Sequence, residues 1–463
     1  MANTKLIRTP SSASNRKTFT ISFWFKIGVH PFTEGGGGDS RELIGQTSSG
    51  YFRFMIKPDE TIRFYSESGI NLITNRKFRD KSAFYHAVLR LDMTQGTREN
   101  RARLYINGVD ERTVGGYATD TIPGQNTDLE WNKSAVHQIG GHSNNYDYFS
   151  GVISHVHHCD GGSLAPTVFG STDSTTGEWQ INTSPSFTPG TNGFTILKDG
   201  NTITDQSANS NNFSLQSGAI TNTKDCPSNV LATLNPLDNF HAGGTFSNGN
   251  NRYNSVSNKH DFAVSTLGMP SGSGKFYAEF KMAQNTDYNV VGISDHGYQG
   301  SNQELSEDNY SYGYYQYLSA GDGAVRANGS NVLTSMPNYG DNDIIGVAVD
   351  LENHKLYFSK NGTYINSGNP ASGSTGTGAV SINNLNTTPN TNSRGQGVYF
   401  FGVGLWNTSA AGEYFANFGN GYFGTAAITT NSGNGYAGAE GASKFNYQPP
   451  SGYSALSTKG LNQ

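Results

Sequence analysis

Thr18-Phe-Thr-Ile-Ser-Phe-Trp-Phe-Lys26 is the stretch that decides the fold. Phe19, Ile21, Phe23 and Phe25 fall on one face of an extended chain, and Thr18, Thr20, Ser22 and Trp24 on the other. Side chains alternate across a strand with a period of two, so this β-branched and aromatic run predicts a strand with one strongly apolar face. The same reading extends outward. Tyr51–Ile56 and Thr61–Tyr65 are strands around a Lys57–Glu60 turn, and Phe84–Leu91 is another. Arg101–Ile106 meets Asn107-Gly108, the dipeptide best suited to a type I′ hairpin turn, with Val109–Val114 as the returning strand. His137–Gly140 and Gly151–Val156 complete this set. No segment keeps a 3.6-residue apolar period over three turns. Many short strands divided by turn signals mean a sandwich or barrel.

Farther along, Gly274–Met282 alternates cleanly, Tyr288–Ile293 reads as a buried strand, and Ile344–Asp350 is nearly all apolar, as a central strand would be. Lys355–Ser359 runs into Lys360-Asn-Gly362, a second hairpin signal. Val398–Leu405 and Glu413–Phe418 close this second set. Between the two sets the composition turns to Thr, Ser, Asn and Gly, with short strands expected at Gly193–Leu197 and Asn212–Leu215. The division expected is therefore 1–171, an ordered connector at 172–236, and 237–463.

The chain has 463 residues, of which 34% are hydrophobic and 14% charged. Low apolar content alone would suit disorder, but a net charge of −5 and 12% aromatic residues do not. With 31 Lys+Arg, no basic patch for nucleic acid is expected. No run of about 18 apolar residues suggests membrane insertion, and the polar start Met1–Arg8 suggests no secretory leader. Cys159 and Cys226 are expected as free thiols in a protein made in a reducing cytoplasm.

Several of these stretches resemble known families. Phe19–Lys26, Arg103–Val109, Gln138–Gly141 and Phe149–Val156 are similar to a laminin-G-like (concanavalin A-type) jelly roll, and Asp160–Gly170 resembles the end of such domains in tailed-bacteriophage proteins. Asp343–Leu351, Leu356–Gly362 and Ala416–Gly419 resemble a SPRY domain, and Phe445–Leu456 looks like the ending of phage SPRY proteins. Pro227–Pro236 resembles the join in phage proteins that combine the two modules. The resemblance implies an all-β protein of two antiparallel β-sandwich (jelly-roll) domains, laminin-G/concanavalin A-like and then SPRY-like. It also implies a place on the virion surface, in a fibre, tail tip or head appendage. The function expected is a non-catalytic adhesin for host cell-surface carbohydrate. The expected associations are with other virion proteins and with further copies of itself. The alternatives are a purely structural virion part and a capsular polysaccharide depolymerase.

Candidate site residues follow. In Tyr310–Tyr317, the rings of Tyr310, Tyr312, Tyr314 and Tyr315 can stack on sugars, and Trp406 and Asn407 lie in a loop near a strand end. The competing reading is that Tyr312 and Tyr314 alternate as an ordinary strand face. Asp205–Asn212 resembles the calcium-binding loop of laminin-G-like proteins, which makes Asp205, Ser207 and Asn209 candidate calcium ligands. Ala208 and Ser210 stand where that pattern has glycines, and with a single carboxylate an Asx-turn is the alternative. His155, His157 and Cys159 share one face of a strand and could bind zinc, but three such positions span about 13 Å unless the strand bends. On that reading Val152, Val156 and His158 take the opposite face. Glu304, Glu307 and Asp308 are the carboxylates a glycosidase would use; a solvated acidic loop explains them equally.

Overall fold

The computed structural model describes residues 3–29, 40–142, 147–198, 202–238, 243–297, 304–317, 321–390, 397–406, 409–429 and 435–463. The chain divides into two compact units, Met1–Asn222 and Thr223–Gln463. Both are built almost wholly from antiparallel sheets, as the alternating runs predict.

The first unit pairs an eight-stranded with a six-stranded sheet among the described residues. Thr18–Ile27 lies in the middle of the six-stranded sheet, between Gly151–Asp160 and Phe84–Asp92. Phe19, Ile21, Phe23 and Phe25 enter the core and meet Phe52, Phe54 and Phe64 of the other sheet. Phe23 and Phe54 stand edge to face with centroids 5.0 Å apart. The opposite face is buried as well. Trp24 stacks on His86 at 4.6 Å, and a hairpin of Gly170–Thr172 with Trp179–Ile181 places Trp179 beside the same imidazole.

The second unit pairs a nine-stranded with a seven-stranded sheet. Lys275–Gln284 and Ile344–Asp350 run side by side in the first of these. Asn289–Ser294 lies between Val398–Leu405 and Ser311–Tyr315 in the second. Phe280, Val347, Phe401 and Val403 fill the space between the sheets. Outside the nine-stranded sheet, Tyr277 and Tyr357 are covered by Leu231, Phe445, Tyr453 and Ala455.

Both Asn-Gly turns take the positive φ pair that a type I′ turn needs: 50° and 78° at Asn107-Gly108, 50° and 82° at Asn361-Gly362. The strand returning from Asn107-Gly108 is shorter than expected. It ends at Asp110, and Glu111–Val114 forms one helical turn. The cause is local: the Asp110 carboxylate caps the Arg112 N–H at 3.0 Å, and Arg76 draws the Glu111 side chain into an ion pair. The stretch 172–236 is divided between the units. Phe194–Ile196 and Ser214–Ser217 add edge strands to both sheets of the first unit. In the second unit, Leu231 bridges to Ser457 and Ala232 donates to the Leu456 carbonyl at 2.9 Å. Backbone groups at a sheet edge need partners, and these segments supply them.

The strand Gly151–Asp160 also departs from simple alternation. A bulge between Ser154 and His157, with His155 at φ 49°, places two residues opposite one on Thr18–Ile27. Val156 and His158 therefore share the core face, while Val152 pairs with Lys26 and lies on the other.

Candidate functional site

The sheet Asp261–Val264, Val398–Leu405, Asn289–Ser294, Ser311–Tyr315 turns a second face away from the core of its unit. Phe262, Val264, Val290 and Tyr315 form that face, and Leu305 covers them from the segment before Ser311. Beside this apolar floor stands a half-buried aromatic group. Tyr288 and Trp406 meet edge to face at 4.5 Å, and Tyr288 and Tyr317 do so at 5.3 Å. Tyr317 stacks on Tyr315 at 5.9 Å. The Arg326 guanidinium lies over both Tyr315, at 5.1 Å, and Trp406, at 5.5 Å.

The backbone fixes these rings. The Trp406 N–H donates to the Tyr288 carbonyl at 3.2 Å, and the Tyr288 N–H to the Gln316 carbonyl at 3.0 Å. Tyr317 is held through its N–H and carbonyl by the Asn338 amide, at 2.9 and 2.7 Å. Tyr288 sits at φ 63°, a left-handed conformation that is rare and costly for a bulky side chain. Such conformations persist where the surroundings enforce them, and they concentrate at functional sites.

Glu304 holds the Arg326 guanidinium that lies over the Tyr315 and Trp406 rings. It is buried, accepts from His260 Nδ1 at 3.0 Å and pairs with Arg326 at 3.2 Å. Burial pushes its carboxyl up, with His260 and Arg326 pulling the other way. Glu307 is exposed, and its Oε2 accepts the Glu304 N–H at 3.1 Å. Glu304 is thus committed to a cation pair, which is a positioning role for Arg326 rather than that of a free acid facing a cleft.

The predicted aromatic residues separate. Tyr314 and Tyr315 are fully buried and Tyr312 is 5% exposed. Their hydroxyls donate to carbonyls of Pro337, Leu305 and Asn309 respectively. They are sheet and core residues, as strand alternation inside a sandwich requires, and offer no ligand surface. Tyr310 is half-buried, with its hydroxyl donating to the Pro389 carbonyl at 3.3 Å. Trp406 is in the aromatic group, and Asn407 lies outside the described residues. Tyr288, Arg326 and His260 were not foreseen, because they come from strand ends far apart in sequence. Tyr317 closes the quoted Tyr310–Tyr317 run, but alternation alone did not separate it from its buried neighbours.

In the first unit, Asp205 is the hub of its loop. Oδ1 accepts N–H groups of Thr195 and Ser207, and Oδ2 accepts the Ser207 hydroxyl and the Asn211 N–H, all at 2.8–2.9 Å. Asn209 donates its side-chain amide to the carbonyls of Gly190 and Gly193. This is a saturated Asx-type turn. The Asp205 oxygens and the Ser207 hydroxyl already hold the loop together, and a calcium ion would have to displace those donors.

The histidine run is likewise occupied. His157 Nδ1 bonds the Thr195 hydroxyl at 3.0 Å, while His158 lies on the core side, 2.9 Å from Asn132 Oδ1. Ser22 and His86 form a hydroxyl–imidazole pair at 2.8 Å. The other ring nitrogen of His86 accepts from Trp179 Nε1 at 2.9 Å, where a nucleophilic triad would need an acid. Cys159 is buried and Cys226 half-buried, and both are free thiols.

Comparison with known proteins agrees with this architecture. Residues 2–162 match the concanavalin A-like lectin/glucanases superfamily, and residues 275–373 match the SPRY domain. The chain therefore carries a concanavalin A-like domain followed by a SPRY domain. Among solved structures, the SPRY domain of human HERC1 is similar at 16% identity, covering 40% of this chain and 96% of that one, with a TM-score of 0.29. The PSpry domain of TRIM65 is similar at 11% identity, covering 40% and 91%, with a TM-score of 0.29. No curated protein matches the chain.

Proposed function

We propose that this protein is a non-catalytic adhesin on the surface of a bacteriophage virion, and that it binds host cell-surface carbohydrate through the Tyr288–Tyr317–Trp406 group of its SPRY domain. The observation that carries the reading is this aromatic group, half-buried and braced by Arg326. Sugar rings present C–H faces that pack on flat aromatic surfaces, and tyrosine and tryptophan add hydrogen-bonding edges. The lectin-like first domain fits the same broad class of carbohydrate or protein binding. Placement on a virion rests on the resemblance of Asp160–Gly170, Pro227–Pro236 and Phe445–Leu456 to phage sequences. The ion-paired state of Glu304 favours binding over hydrolysis.

The test is binding of the purified chain to host cells and to isolated host surface polysaccharide. Saturable binding that is lost in Trp406→Ala supports the adhesin. Absence of carbohydrate binding, with association instead to capsid or tail components, would replace it with a purely structural virion role.

A further inference from the structure

We propose that His296 and Asp308 of the second unit ligate a divalent cation of the zinc class, with Asp295 orienting the imidazole from its other nitrogen, independent of the carbohydrate reading. One donor atom from each of the three residues lies within 4.8 Å of the others. The topology brings them together. Asp295 and His296 directly follow the strand Asn289–Ser294, and Asp308 precedes its antiparallel neighbour Ser311–Tyr315, with Ser294 opposite Ser311. The Asp295 N–H donates to the Tyr310 carbonyl at 3.1 Å and holds the two strand ends together.

The side chains are built in rather than draped on the surface. Asp295 is fully buried, and the His296 ring is 2% exposed, edge-on to Phe262. His296 Nδ1 lies 2.5 Å from Asp295 Oδ1, and Asp295 Oδ2 accepts from the Asn390 amide at 3.1 Å. A carboxylate on one imidazole nitrogen fixes the tautomer and turns the other toward a metal, the usual second layer of histidine–metal sites. His296 Nε2 faces Asp308 Oδ2 at 3.7 Å. Two metal–ligand bonds of about 2.0–2.2 Å at a tetrahedral or slightly wider angle span roughly that separation.

Asp308 is set for the same purpose. Its Oδ1 is anchored by the Tyr310 N–H at 2.9 Å and the Ser311 hydroxyl at 3.0 Å, which aims Oδ2 at the imidazole. Its side chain is 32% exposed, so a cation has a way in from solvent. Asp238 approaches from a third segment, its carboxylate lying against Gly297 beside His296. Even a methyl group on Gly297 would collide with the Asp238 carboxylate. An imidazole nitrogen among carboxylate oxygens selects zinc or its neighbours over calcium or magnesium, which take oxygen alone. Bound there, the ion would clip together both ends of the 295–310 connection, which carries Leu305 and Glu304.

The test is Zn2+ titration of the chelator-stripped full chain, by calorimetry and by competition with a chromogenic chelator, with Ca2+ as control. The expected result is one equivalent of Zn2+ bound in preference to Ca2+, with a rise in Tm. Asp308→Asn, at a partly exposed position, should weaken Zn2+ at least tenfold and remove the Tm rise. His296→Gln should abolish binding. Circular dichroism of the metal-free variants separates lost affinity from lost fold. The proposal is overturned if the wild-type chain takes up no stoichiometric Zn2+, or if folded Asp308→Asn and His296→Gln bind it as tightly as wild type.

Discussion

Glu279 Oε1 accepts the backbone N–H of Tyr447 at 2.7 Å, across 168 positions of sequence. Glu279 is fully buried, and its other partners are the Asn446 N–H at 2.8 Å, the Asn417 amide at 3.0 Å and the Tyr277 hydroxyl at 3.3 Å. One carboxylate thus gathers the strand Lys275–Gln284, the strand Glu413–Asn417 and the C-terminal segment. Glu279→Ala leaves several buried donors without an acceptor, at about 1–3 kcal/mol for each. We expect a loss of at least about 3 kcal/mol for the second unit in denaturant titration. A change below about 1 kcal/mol would show that the C-terminal segment is not held by this residue.

Acid should unfold the first unit. His86, His137, His157 and His158 are each lowered from 6.5 to about 3, first by burial and then, for His86 and His157, by the neighbouring imidazole of His155. The unfolded chain takes up protons below about pH 6.5, whereas these folded sites stay neutral until about pH 3. Their stabilisation is therefore complete above pH 6.5 and is lost as pH falls through that window, at about 1.4 kcal/mol per unit for each fully displaced group. Glu42 opposes them: burial raises it to about 7, so its contribution is present below 4.5 and lost toward 7. Below pH 4.5 the slope of these histidines is joined by that of His142, lowered by burial to about 4, and by Asp59, Asp92 and Asp120, where burial is outweighed by hydrogen bonds that hold the carboxyls below the ordinary value. Trp24, Trp131 and Trp179 lie in the first unit and Trp406 in the second, so tryptophan fluorescence of Trp406→Phe during acid titration reads the first unit. A first unit as stable at pH 4 as at pH 7 would contradict this account.

Asp261 predicts the opposite trend in the second unit. Burial raises its carboxyl from 3.8 to about 7. Its Oδ2 accepts the Tyr253 hydroxyl at 3.0 Å and the Val256 N–H at 2.8 Å, while Oδ1 is buried with no partner. A raised pKa means that this residue's stabilisation is present below about pH 4 and is lost as pH climbs to 7. Asn mimics the neutral acid, so Asp261→Asn should stabilise the unit at pH 8, by up to about 4 kcal/mol. The difference should vanish near pH 4. Thermal melts at the two pH values decide it, and equal effects at both would exclude a buried neutral acid.

Trp406→Ala should weaken carbohydrate binding at least tenfold, about 1.4 kcal/mol, with little effect on Tm because the ring is half-buried. Arg326→Met should weaken it less and lower stability more, since Glu304 then loses its cation in a buried setting. Affinities from a polysaccharide-binding assay, set beside melting curves, would show whether the two effects separate in this way.

Thr18–Lys26 carried most of the architecture, because a period of two is a property of local backbone geometry. Asn107-Gly108 and Asn361-Gly362 marked their turns for a similar reason: few residues accept two successive positive φ values. Gly151–Asp160 was read less well. Its bulge depends on pairing with Thr18–Ile27 and has no signature within the strand itself. Tyr314 and Trp406 both looked like ligand contacts by residue type, yet one is fully buried and the other half-buried.

The sequence by itself determined an all-β chain, two strand-rich regions and their main hairpins, since alternation and turn chemistry act over a few residues. Tertiary structure alone decided which aromatic rings remain within reach of solvent, which carboxylates are spent on cations or N–H groups, and which acids meet His296. Those outcomes depend on strand order and on what covers each sheet, contacts between segments tens to hundreds of residues apart that no local pattern encodes.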